Sequence, residues 1–98
     1  VLQGATAVYG EALRIALADS SVDAALVIGG DRSDPAAFAE MLIDARQRSG
    51  KPVLYAVGGR FFGGEEHLRR LAEGGVATAP TAERALRAYA RLVAARAS

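Results

Sequence analysis

The residues best placed to do chemistry in this chain lie in two glycine-rich turns. The first is Gly29-Gly30-Asp31-Arg32-Ser33-Asp34. It follows an uninterrupted apolar run from Ala24 to Ile28 and precedes Pro35. Such a run, closed by turn residues, predicts a parallel strand covered on both faces. Asp34 suits the N-cap of a following helix, and Pro35 suits its first position, where no N–H is needed. In open α/β sheets, ligands bind beyond the carboxyl ends of strands, where helix N-termini point. The segment from Gly29 to Pro35 is therefore the first candidate site; the plainer reading is the βα turn that any α/β protein has. The second turn is Gly58-Gly59-Arg60-Phe61-Phe62-Gly63-Gly64, after the apolar run Val53 to Val57. It lacks the Lys-Ser/Thr ending of a phosphate-cradling loop, and its spacing is not that of a dinucleotide fingerprint. Any phosphate role would then fall to helix N-termini. Phe61 and Phe62 either tuck over the sheet end or face a partner.

The remaining reactive side chains form no constellation. His67 is the only histidine, and there is no cysteine, so a metal site has no second soft ligand. No Ser or Cys is specified beside His67 as a nucleophile, and it reads as a surface residue. Arg84, Arg87 and Arg91 share a helical face. That stripe is either solvated, with Glu83 pairing Arg87, or a subunit contact.

The elements that must position the two turns follow from the periodicity. Thr6 is expected to cap a first helix running to about Asp19, with Tyr9, Leu13, Ala16 and Leu17 as its buried stripe. Pro35 to about Ser49 reads as a second helix burying Phe38, Met41, Leu42 and Ala45, and Gly50 ends it. Glu65 opens a third helix with Leu68, Leu71 and Ala72 inward and the pairs Glu65–Arg69 and Glu66–Arg70 outward. Gly74-Gly75 stops it, and Val76 to Ala79 reads as a short strand nearer the sheet's edge. Thr81 caps a last helix to about Arg96, with Leu86, Tyr89, Ala90 and Val93 as its expected buried face. Strands alternating with helices predict right-handed crossovers and a parallel sheet. The expectation is a three-layer α/β, flavodoxin-like unit, residues 1–98 as a single partial domain, with strands near 24–29, 52–57 and 76–79 adjacent in that order.

Composition narrows the function classes. The 98 residues carry 12 basic and 11 acidic side chains, a net charge of +1 that gives no support to nucleic-acid or membrane-surface binding. No apolar run approaches the roughly 20 residues of a membrane span. The lack of cysteine fits a cytoplasmic protein, and an Arg- and Ala-rich usage hints at a bacterial source.

Taken in order, Val22-Asp23-Ala24-Ala25-Leu26-Val27-Ile28, Asp34-Pro35, Gly50-Lys51-Pro52-Val53-Leu54, Gly58-Gly59, Gly75-Val76-Ala77-Thr78 and Thr81-Ala82-Glu83-Arg84-Ala85-Leu86-Arg87-Ala88 form a succession. It resembles the CoA-ligase domain of the NDP-forming acyl-CoA synthetases, relatives of succinyl-CoA synthetase. The opening Gly4-Ala5-Thr6-Ala7-Val8-Tyr9-Gly10-Glu11-Ala12-Leu13 is similar to the segment before that strand. The likeness spans nearly the whole chain, and the order and spacing carry it rather than any single piece. The family domain also has a leading β-α-β unit not contained in these residues, so a module reduced to its last three strands is expected.

The resemblance implies an acid–CoA ligase that couples acyl-CoA formation to conversion of a nucleoside triphosphate to diphosphate and phosphate. A phosphohistidine on a mobile loop would carry the phosphoryl group. CoA, ATP or ADP and Mg²⁺ would be bound by other domains or subunits: a CoA-binding domain, a phosphohistidine segment and an ATP-grasp domain. This chain would hold no cofactor and no catalytic residue, and would be inactive alone. The turn Gly29 to Asp34 would line the acid's pocket, and the helix after it would point at the phosphohistidine. Backbone N–H groups and the positive helix end would stabilise phosphate charge, and Arg32 would add charge-assisted bonds. Gly58, Gly59 and Arg60 form the second loop. Asp31 departs from the pattern, since a carboxylate there repels phosphate unless Arg32 pairs with it. His67 matches no phosphohistidine motif. The alternative implied by the same likeness is a non-catalytic regulatory or interaction domain, as in protein acetyltransferases that carry a degenerate acyl-CoA synthetase region. An unrelated flavodoxin-like binding domain is the third reading. Without the leading unit, the Ala24 to Ile28 strand would leave an open edge prone to self-association.

Overall fold

A computed structural model describes residues 5–28, 34–57 and 64–97. The chain runs α1 (Ala5–Ala18), β1 (Ala25–Ile28), α2 (Pro35–Ser49), β2 (Val53–Ala56), α3 (Gly64–Glu73), β3 (Ala77–Ala79) and α4 (Ala82–Ala97). The three strands form one sheet in the order β1-β2-β3, and both pairings are parallel. The register sets Ile28 opposite Ala56 and Ala56 opposite Ala79, so all three carboxyl ends lie at one end of the sheet. This is the expected flavodoxin-like three-layer α/β arrangement with three strands, and β3 is an edge as expected.

The layers follow from the strand pleat. Val27, Val53 and Tyr55 alternate onto one face and join α1, α2 and α3 in the main core with Leu13, Leu17, Phe38, Leu42, Leu71 and Val76. Leu54 and Ala56 fall on the other face and are buried outside that cluster, as is Ala85 of α4. α1 packs on α2 and α2 on α3, whereas among the described residues α4 packs on the strands alone. Among the described residues, one face of the sheet thus has three helices and the other has one.

Local chemistry explains the ends of α2. The Asp34 carboxylate accepts the Ala37 N–H at 3.0 Å, Pro35 occupies the first turn, and Gly50 closes the helix at φ 70°, a left-handed conformation that suits glycine. Gly74 serves a different purpose. A Cβ there would lie 2.5 Å from Cγ1 of Ile43, so the end of α3 approaches α2 more closely than any side chain permits.

Several expectations change. Thr6 is not a cap: α1 already includes Ala5, and Thr6 is 2% exposed inside the first turn. Ala72 is exposed, while Ala39 and Ile43 join the buried face of α2. Arg70 pairs in a fork with Glu40 of α2, at 2.8 and 2.9 Å, in place of the expected Glu66. The largest difference is α4. Ala85 is buried and Tyr89 half-buried, but Leu86 is 55% and Val93 46% exposed, and Ala90 is exposed too. Among the described residues the helix stands alone on its face, so a small residue seats against the sheet and the neighbouring stripe of larger residues meets no described helix.

Candidate functional site

The carboxyl ends of β1 and β2 are neighbours, with Ile28 in register beside Ala56. Of the candidate residues, Asp34 is described. Gly29, Gly30, Asp31, Arg32 and Ser33, with Gly58, Gly59, Arg60, Phe61 and Phe62, lie outside the described residues.

The frame beneath this end of the sheet is aromatic. Tyr9 meets Phe38 edge-on at 5.3 Å, and Phe38 meets Tyr55 at 5.5 Å. These three rings join α1, α2 and β2 directly behind the first turn of α2, a geometry worth about 1 kcal/mol per pair beyond burial. The Tyr9 hydroxyl also donates to the Ile28 carbonyl at 3.2 Å, fastening α1 to the last residue of β1. The sequence pattern identifies Tyr9 as a buried-stripe residue, but its hydroxyl contact is a tertiary feature that spacing does not reveal. Lys51, the only lysine, is a second such case. Its Nζ donates to the carbonyls of Leu17 and Asp19 at 2.8 and 2.9 Å, satisfying the end of α1 from the start of β2. Beside it, the Ser21 backbone N–H and hydroxyl both donate to Asp19 and hold that carboxyl below its ordinary value.

The first turn of α2 defines what this end can offer an anion. Pro35 has no N–H, the Ala37 N–H goes to the Asp34 side chain, and the Phe38 N–H goes to the Asp34 carbonyl at 3.1 Å. The Ala36 amide is the first-turn donor left without a partner among the described residues. A carboxylate therefore already sits on the positive end of α2, and an incoming phosphate would share that end with Asp34. Asp34→Ala is expected to lower stability by about 1 kcal/mol, the usual loss on removing an N-cap. A urea titration checks this, and an unchanged midpoint would contradict the capping role.

His67 lies half-buried within α3. No group of three or more His, Cys, Asp or Glu gathers to hold a metal ion among the described residues. No helix among them is long and apolar enough to cross a membrane. A groove of about 780 Å³ runs between α1 and α2, lined by Gly10, Leu17, Met41 and Ala45 and rimmed by the ion pairs Glu11–Arg14 and Asp44–Arg48. Each arginine holds its partner within its own helix, and Arg14 keeps the Glu11 carboxyl below its ordinary value through a side-chain hydrogen bond.

Compared with protein-family models, curated proteins and solved structures, the chain matches none.

Proposed function

We propose that this chain is a non-autonomous domain of an acid–CoA ligase of the NDP-forming acyl-CoA synthetase type. The observation that carries the reading is the adjacency of the carboxyl ends of β1 and β2, the strands that the two glycine-rich segments follow in sequence. The same order of strand, Asp-Pro helix start, Gly-Lys-Pro strand and Gly-Gly turn underlies the likeness to that family. In this reading the segment Gly29 to Asp34 receives the phosphoryl group and the acid, with Arg32 and the Ala36 amide as donors. Gly58, Gly59 and Arg60 border it. CoA, nucleotide and Mg²⁺ belong to partner domains, and the setting is the cytoplasm.

The carboxylate already seated on the α2 N-terminus favours a second reading, the regulatory domain of a protein acetyltransferase. The two readings separate by experiment. The 98-residue chain supplied with ATP, Mg²⁺, CoA and a panel of short carboxylic acids is expected to form no acyl-CoA. The product of the complete reading frame that encodes these residues is expected to form acyl-CoA with release of ADP and phosphate. Activity of the chain alone would overturn the first expectation. A complete product that transfers acetyl groups and forms no acyl-CoA would favour the regulatory reading.

A further inference from the structure

We draw no further inference here: the strongest candidate, the apolar groove between α1 and α2 lined by Gly10, Leu17, Met41 and Ala45, has its rim pairs Glu11–Arg14 and Asp44–Arg48 closed within their own helices, and nothing in the structure shows what covers it.

Discussion

Leu71→Ala is expected to lower the unfolding free energy by about 3 kcal/mol, within the range for emptying a leucine site in a packed core. Leu71 is 0% exposed and belongs to the cluster that joins α3 to Phe38, Leu42, Val53 and Val76. Its neighbours Leu42 and Val53 are likewise fully buried, so few groups can move to fill the space. Domains of this size have roughly 5–15 kcal/mol in all, and the loss takes a large share of it. Urea unfolding is expected to show a lower midpoint with an unchanged slope. Leu86→Ala provides the contrast. With Leu86 55% exposed on α4, its loss is expected to stay within about 0.5 kcal/mol. Equal losses at the two positions would contradict the layer arrangement, because both would then be core.

Gly74→Ala is expected to be nearly as damaging, at about 2–3 kcal/mol, by the opposite route of overpacking. The new Cβ would lie 2.5, 2.6 and 2.8 Å from three carbons of Ile43. Ile43 is β-branched and 3% exposed, so it has neither a free rotamer nor open space to enter. A shift of this size lowers the melting temperature by roughly 10–20 °C in a domain of about 100 residues. The double variant Gly74→Ala with Ile43→Ala tests the cause. If the clash is responsible, the two losses combine to well below their sum. Strict additivity would mean that Gly74 acts through something other than Ile43.

The contrast between α2 and α4 shows what the sequence reveals and what it withholds. The start and stop of α2 are local chemistry: Asp34 bonds three residues on, Pro35 needs no donor, and Gly50 takes a left-handed turn. These interactions need no tertiary partner, and the sequence discloses them. The buried face of α4 is not local. Its large residues Leu86 and Val93 lie one step around the helix from Ala85 and Tyr89, and pattern reading favours the large ones. The choice belongs to the sheet, which accepts Ala85 closely, while among the described residues no second helix packs on α4 to cover Leu86. Arg70 is similar. A partner four residues away on its own helix is visible in sequence, whereas Glu40 comes within reach only after α2 and α3 pack. For the candidate site, the strand ends and the Asp34 cap are where the pattern indicates. The Tyr9 and Lys51 contacts that brace them join segments 19 and 32–34 residues apart, beyond any spacing rule.

The central claim is that the segment Gly29 to Asp34 receives a phosphoryl group carried on a histidine elsewhere in a ligase. The most direct measurement is phosphoenzyme trapping with γ-labelled ATP and Mg²⁺ on the product of the complete reading frame, as the natural sequence and as Arg32→Ala. The account predicts an acid-labile, base-stable phosphohistidine on the natural protein that discharges when acid and CoA are added. With Arg32→Ala, discharge into acyl-CoA is expected to slow by about 100-fold, the usual loss of one charge-stabilising donor. A phosphohistidine that discharges equally fast in the two proteins, or no phosphoenzyme in the natural one, would contradict it.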